Sequence, residues 1–495
     1  MRKVIIVGAG ISGLSAGVYA AKSGFDVTIY EQHLTFGGLS TGWSRKGYFF
    51  EGGMHWLTGS SEKLELNRIW KETGALKENN PIEIRDPFYT VIHGNKTLRL
   101  WRDLDKLCEE LLAYSPEDKK AIERLRKDVK AFMHVHLVVV DIPGVKTDNP
   151  CKPPLSEYTN MLPALSKLRR LSKTSYEDYV NQFKNEDIKS LLRSLIGYRY
   201  NALSMVYTLA SFAIGDCGYP HGGSILLAQN MLDTYKALGG KIEFRKPVQK
   251  VVVENGRATG VQLKDSFEAA DAVIVTQDTR AAFENLFDVP ITDSWTKKLV
   301  KRCVGEQNIF ISLGIKADLS DLPYSMIFPL EKPIEFAGCK WTELRVNNYA
   351  KYKDHAPEGG TSMTCLLIGD CYDFWKAAKQ DGTYKQKKDE IGKLFIQELS
   401  KFIPRVGENL EVIDVATPLT YERYCSSYKG SWMTVWTPHD AQYNYPQKLK
   451  CIKGVYFAGQ RILMPGGLPI ALFSGRQAVQ HLCKDTKTMF VGAGK

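Results

Sequence analysis

The chain has no Cys-x-x-Cys pair among its ten cysteines, no uninterrupted apolar run of the roughly 18 residues a spanning helix needs, and no internal repeat or low-complexity tract. Each absence excludes something. Scattered cysteines suggest neither a zinc site nor a dithiol redox pair, so no metal is expected, and they read as reduced, mostly buried small hydrophobes. The opening stretch MRKVIIVGAGISG places glycines inside its apolar run, which argues against a cleavable signal peptide, and a cytoplasmic location is expected. Charge of one sign is also scarce: 66 basic against 55 acidic residues leave +11 over 495 residues. That moderate excess permits contact with an anionic membrane surface or an acidic ligand; no nucleic-acid partner is expected. What is present is ordinary for a globular protein, 44% hydrophobic and 24% charged, with length for about three domains.

The most informative stretch is at the start. Residues 3–7, KVIIV, form a short apolar, β-branched run that predicts a strand buried on both faces. It runs into GAGISGLSAGVYAAKSG, which gives Gly8-x-Gly10-x-x-Gly13 and a helix ending near Gly24. Gly8 permits the tight turn, Gly10 lets backbone approach a pyrophosphate, and Gly13 lets the helix pack on the strand. The helix N-terminus then offers free N–H groups to phosphate. A second apolar strand, DVTIY, ends at Glu31, 18 positions after Gly13, where an acid can accept hydrogen bonds from a ribose diol. An acid there favours an unphosphorylated ribose and fits FAD or NAD better than NADP.

After Glu31 come QHLTFGGLSTGW and GYFFEGGMHWLTG. A glycine pair at 37–38 followed by Ser40 and Thr41 resembles the flavoprotein pattern, in which the chain folds back along an extended FAD. Three further stretches extend the likeness: residues 219–279, with a helix stopped at Gly239-Gly240 and short strands joined by an Asn-Gly hairpin; TPLTYERYCSSYKGSW at 417–432; and FAGQRILMPGGLP at 457–469. Over essentially its whole length the chain resembles the phytoene desaturase, carotenoid isomerase and retinol saturase family, within the amine-oxidase type of flavoproteins.

The resemblance implies an α/β fold: a Rossmann-like FAD-binding domain of the glutathione-reductase type, a discontinuous mixed-sheet substrate domain and a helical subdomain. The expected boundaries are 1–75, 205–290 and 445–485 for the FAD domain, 76–104 and 291–444 for the substrate domain, and 105–204 for the helical subdomain over the substrate entrance. It places cofactor contacts at Gly8, Gly10, Ile11, Ser12, Gly13, Glu31 and Gln32; at Gly37, Gly38, Leu39, Ser40, Thr41, Gly53, Met54 and His55; at Val248, on the first strand after the helix, and Thr276; and at Gly459, Gln460, Gly467, Leu468 and Pro469. Pro469 suits the first turn of a helix whose dipole would face the flavin. Flavoproteins of this fold commonly carry an acid where this chain has Gln460.

Glu51, His55 and His221 are the candidate proton donors or acceptors. Tyr198 and Tyr200 are candidates to line an apolar tunnel. FMHVHLVVVDIPG (132–144), too short to span and otherwise a buried strand or helix, and LPALSKLRRLSK (162–173), apolar interleaved with basic, suit shallow contact with the inner face of a membrane. The implied activity is FAD-dependent oxidoreduction at carbon–carbon bonds of a lipophilic polyene, by hydride transfer at flavin N5, in the sense of desaturation, saturation or cis–trans isomerisation, with an unidentified electron acceptor or donor. Two alternatives stand beside it: a flavin amine oxidase for small amines, and a non-catalytic lipid-binding escort-type protein.

Overall fold

The computed structural model describes residues 1–78, 80–151, 159, 161–302, 304–438 and 444–493. The first apolar run forms strand β1 (Lys3–Val7), followed by helix α1 (Ile11–Lys22) and strand β2 (Asp26–Tyr30). Later segments add helix α2 (Gly223–Ala237), strand β3 (Lys241–Glu243), strand β4 (Ala272–Val275), strand β5 (Val455–Phe457) and helix α3 (Gly467–Thr486). The strands make one all-parallel sheet in the order β5-β4-β1-β2-β3. The residues Val4, Ile5, Ile6, Val273 and Ile274 have no exposed surface, as expected for strands covered on both faces.

From β1 the chain winds one way to β2 and β3, while β4 and β5 lie on the other side. The crevice outside the carboxyl ends of β1 and β4 is therefore a topological switch point, where ligands of open α/β sheets bind. Helix α1 is pinned in place by its glycines: a Cβ on Gly13 would stand 1.9 Å from the Gly8 carbonyl oxygen. The last helix docks on the first, with Ser15 Oγ donating to the Leu472 carbonyl at 2.7 Å across 457 residues. That contact brings the two ends of the sequence to one place.

A second, seven-stranded sheet is mixed. Its order is Leu410–Ala416, Asn308–Ile315, Thr361–Ile368, Cys339–Asn348, Ser325–Phe336, Tyr89–His93 and Lys96–Leu100. Only the pairing of Ser325–Phe336 with Tyr89–His93 is parallel among its paired neighbours. Helices Leu104–Tyr114, Lys119–Phe132, Leu162–Lys173, Tyr176–Val180 and Glu186–Arg193 share a separate apolar core that includes Leu125, Tyr179 and Leu191. Helix Ala202–Ala213 packs in this same core, so the 204/205 boundary drawn from sequence falls inside one helix.

Residues 133–144 form neither strand nor helix. They run irregularly along α3, whose side chains hold them: Gln480 Oε1 accepts from the Ile142 N–H at 3.0 Å, Gln477 donates to the Val140 carbonyl at 3.2 Å, and Arg476 pairs with Asp141. Side chains of a neighbouring helix have replaced the sheet or helix partners that this backbone would otherwise need. Among the described residues no helix is long and apolar enough to cross a membrane.

Candidate active site

A cavity runs from the β1–α1 turn to the seven-stranded sheet, lined by Gly8, Gly10 and Glu31 on one side and by Phe310 and Leu366 on the other. A lining that joins a phosphate-type glycine turn to an apolar wall suits a dinucleotide with an apolar group beyond it. Of the cofactor contacts expected from sequence, all but Gly13, Thr41 and Pro469 line it. Those three act from behind. Gly13 sets the packing of α1, Thr41 accepts the Gly52 N–H at 2.9 Å, and Pro469 sits in the first turn of α3. Val248 reaches the cavity on the connection after β3 rather than on a strand, because β3 ends at Glu243 and the next strand begins at Lys250.

At one end Glu31 is buried, and its carboxylate accepts the N–H groups of Ala9 (2.7 Å) and His33 (2.8 Å). It thereby locks the glycine turn to the end of β2 while still facing the cavity. Gly10 is extended and no side chain caps α1, so its first turn is available to phosphate. Gln32 closes this end through Tyr424, whose carbonyl takes the Gln32 amide at 3.0 Å. At the other end α3 also begins uncapped, at Gly466-Gly467.

Gln460 resolves the missing acid. Its Nε2 donates to the Trp432 carbonyl at 2.9 Å, a bond no carboxylate can make, while its Oε1 is buried without a partner among the described residues. A buried acceptor left unpaired is costly, and the residue that carries it is one of those lining the cavity.

The three candidate proton carriers separate. Glu51 Oε1 accepts from Gly53 and Met54 N–H (2.9 and 3.1 Å), and Oε2 accepts from Ser224 N–H and Tyr219 hydroxyl (2.8 and 3.1 Å). With these four donors bound it holds the loop of residues 51–54 to the start of α2 at the cavity wall. His221 is exposed and lies outside the cavity lining; its N–H donates to the Pro81 carbonyl and its ring lies 5.9 Å from that of Tyr352.

His55 does face the cavity. Burial, with the charges of Arg345 and Arg85, pushes its imidazole down to about 3, so it is neutral at ordinary pH. Asn347 Nδ2 lies 3.3 Å from its Nδ1, and Ser325 donates to Asn347 Oδ1 at 2.5 Å, so Nδ1 accepts and the proton stays on Nε2. His55 is thus a fixed hydrogen-bond donor, a narrower role than acid or base. Behind it Arg85 is clamped between tyrosines, 3.8 Å from the Tyr219 ring centre and 3.5 Å from that of Tyr324. Burial disfavours that guanidinium charge, but the tyrosine hydroxyls outweigh it and Arg85 stays charged.

Tyr200 is buried and donates to the Thr434 carbonyl at 3.3 Å, whereas Tyr198 is 48% exposed; neither lines the cavity. Sequence reasoning missed the ion pair of Asp278 with Arg461, 2.6 Å apart and almost fully buried at the cavity wall. Asp278 also caps helix Thr279–Asn285 and accepts the Tyr428 N–H at 3.1 Å, while Arg461 reaches Ser431 and Thr434. Three distant segments are stapled there. The only sequence signal was an Asp just before a helix and an Arg just after Gln460. Phe310, Leu366 and Met433, which form the apolar wall, were likewise unmarked.

An uncapped helix N-terminus at each end, a diol acceptor, and an apolar wall beyond define an oxidoreductase site built on a dinucleotide-type flavin. FAD fits it: Gly10 to Ser12 would hold the pyrophosphate, Glu31 the adenosine ribose, and Gln460 the ribityl chain. The profile of the flavin containing amine oxidoreductases matches residues 11–483, and the chain belongs to that family. It is an FAD-dependent oxidoreductase.

Related proteins are similar over most of their length. An all-trans-retinol 13,14-reductase of Danio rerio is 23% identical over 516 residues, covering 93% of this chain and 83% of its own. A chloroplastic prolycopene isomerase of Daucus carota is 24% identical over 514 residues, covering 97% and 80%. The crystal structure of a Methanosarcina mazei oxidoreductase shares the fold, with a TM-score of 0.64 at 18% identity over 97% of this chain and 100% of its own.

Proposed function

We propose that the protein acts on carbon–carbon bonds of a long lipophilic polyene, such as a carotenoid, retinoid or related unsaturated lipid, by desaturation, saturation or isomerisation. Bound FAD supplies two-electron redox chemistry, and an electron donor or acceptor yet to be identified completes the cycle. The observation that carries the reading is the far wall of the cavity: Phe310, Leu366 and Met433 present apolar surface beside a neutral His55, a lining suited to a hydrocarbon. The names of the two curated relatives support it. The charges of Arg345 and Arg85 behind His55 are a poor setting for an amine substrate that arrives as a cation. The division into FAD, substrate and helical parts belongs to this reading.

The chain's own residues bind, orient and exclude water. His55 would offer its Nε2–H as a donor, Gln460 an acceptor, and the Asp278–Arg461 pair braces the wall. Shallow membrane contact would deliver the substrate: helix Leu162–Lys173 carries exposed Leu162 and Leu165 among lysines and arginines. The protein is placed in the cytoplasm on this reading.

Anaerobic incubation of the flavin-loaded protein with polyenes and small amines, with and without dithionite, tests it. Bleaching of the flavin by polyene alone means desaturation, loss of a double bond only with reduced flavin means saturation, and geometric change without net redox means isomerisation. Bleaching by small amines with every polyene unchanged overturns the reading.

A further inference from the structure

We propose that Ser427 is a direct contact to the pyrophosphate of bound FAD, carried on a strap that has to open before the cofactor can leave. FAD binding alone is needed for this; the polyene chemistry plays no part. The strap follows Leu410–Ala416, an edge strand of the seven-stranded sheet. It consists of helix Pro418–Cys425, a tight turn through Tyr428–Gly430 and the short strand Met433–Thr434. Tyr421, Tyr424, Cys425, Ser426, Ser427 and Trp432 all line the cavity, so one segment of chain supplies a long part of its wall.

What holds the strap fixes its place along the cofactor. Near the adenosine end the Gln32 amide is used twice: Nε2 donates to the Tyr424 carbonyl and Oε1 accepts from Ser426 Oγ, each at 3.0 Å. The His33 ring stands edge-on to that of Tyr424 at 4.7 Å. Burial, with the charge of Glu31 nearby, pushes the Cys425 thiol up to about 12, as befits a neighbour of the ribose acid. One residue past Ser427, the Tyr428 N–H donates to Asp278 at 3.1 Å, and Arg280 lies 3.7 Å from the Tyr428 ring centre. Asp278 follows Thr276 by two residues, and the Thr276 hydroxyl donates to the Gly8 carbonyl at 3.1 Å. Ser427 is thus bracketed by the ribose acid on one side and the surroundings of the glycine turn on the other. In that interval FAD carries its pyrophosphate.

Ser427 is 4% exposed, and its Oγ has no hydrogen-bond partner among the described residues. A buried hydroxyl left idle is destabilising unless a ligand takes it. An anionic oxygen of the pyrophosphate would accept its proton in a charge-assisted bond, while the uncapped first turn of α1 supplies N–H groups. The backbone around Ser427 is also unusual. Ser426 has φ of 50°, in the left-handed region that residues with a Cβ rarely adopt. A Cβ on Gly430 would fall 1.9 Å from the Pro418 carbonyl oxygen, so the strap is folded tightly on itself and would move as a unit.

The two ties of the strap differ in strength. Asp278 is buried with Arg461, whereas both bonds to Gln32 are exposed and water competes for them. The strap should therefore open from the adenosine end and pivot near Asp278. Gln32, expected from the sequence to touch the cofactor, becomes its latch.

Release of FAD from diluted holoenzyme, followed by the fluorescence of the free flavin, tests the contact. Ser427→Ala should release FAD about tenfold faster, and Ser427→Thr, which keeps the hydroxyl, should restore most of the wild-type rate. Flavin-stripped protein is then titrated with FAD and with riboflavin, which has no pyrophosphate. Ser427→Ala should weaken FAD about tenfold, leave riboflavin unchanged and keep the wild-type melting temperature of the stripped protein. Gln32→Ala should speed capture and release alike, by about threefold, with affinity changing less than either rate. Unchanged release from Ser427→Ala, or equal weakening of FAD and riboflavin, overturns the contact. A Gln32→Ala protein in which neither rate moves overturns the strap. Where stripping unfolds the chain, the release rates of the three variants decide alone.

Discussion

The glycine turn at Gly8–Ser12 and the apolar wall of Phe310, Leu366 and Met433 border the same cavity and hold it by different means. The first set works through backbone: turns, helix N–H groups and the missing side chain at Gly13, with Glu31 pinning the turn from 2.7 Å. The second works through side chains on strands, where Phe310, Leu366 and Met433 form the wall. A backbone cradle tolerates almost no substitution but suits any nucleotide of the right charge. A side-chain wall tolerates many substitutions, and each one retunes what it accepts.

Four substitutions probe that contrast, the largest effect first. Asp278→Ala removes the carboxylate of the buried Asp278–Arg461 pair and should lower unfolding stability by about 3–5 kcal/mol, read by denaturant titration. Because this pair ties the two ends together, both FAD retention and substrate turnover should suffer. Gly13→Ala places a Cβ against the Gly8 carbonyl and should cost about 1–3 kcal/mol, with FAD lost on gel filtration while the seven-stranded sheet keeps its melting transition. Survival of the yellow colour would mean that the cradle bends as readily as the wall.

Glu306 lies opposite Met433 on a paired strand, and burial pushes its carboxyl up to about 8. Glu306→Gln should raise the melting temperature, and the gain should grow with pH. Between about 4.5 and 8 the folded wild type keeps a proton that the unfolded chain has shed, so raising the pH costs the wild type stability across that window and leaves the variant level. A gain that is flat with pH would mean that the carboxyl ionises freely. The smallest effect is expected for Gln460→Asp. The shorter carboxylate loses the bond to the Trp432 carbonyl and should weaken FAD by about 1 kcal/mol, roughly fivefold, in a fluorescence titration.

The same contrast explains what could be read in advance. Gly8, Gly10, Gly13 and Glu31 were legible because phosphate and ribose chemistry fixes residue type and spacing within one βαβ unit. That Asn308–Ile315 and Thr361–Ile368 are short, largely apolar runs was legible in their residues. Which of their side chains would face the cavity was not, because register depends on pairing partners far away in sequence. Glu51 and His221 looked catalytic by type alone. Neither the four donors around one nor the solvent around the other leaves a local trace. Asp278 and Arg461 meet across 183 residues with no pattern to announce the pairing.

The docking of α3 on α1 has a consequence in time. Ser15 and Leu472 are separated by 457 residues, which a ribosome adding roughly 5–20 residues per second takes on the order of half a minute or more to traverse. Through that interval the glycine turn is already made, but the strand and helix that close the crevice do not yet exist. Nascent chains released before residue 472 should therefore emerge colourless, and the cofactor is captured only once α3 has been made.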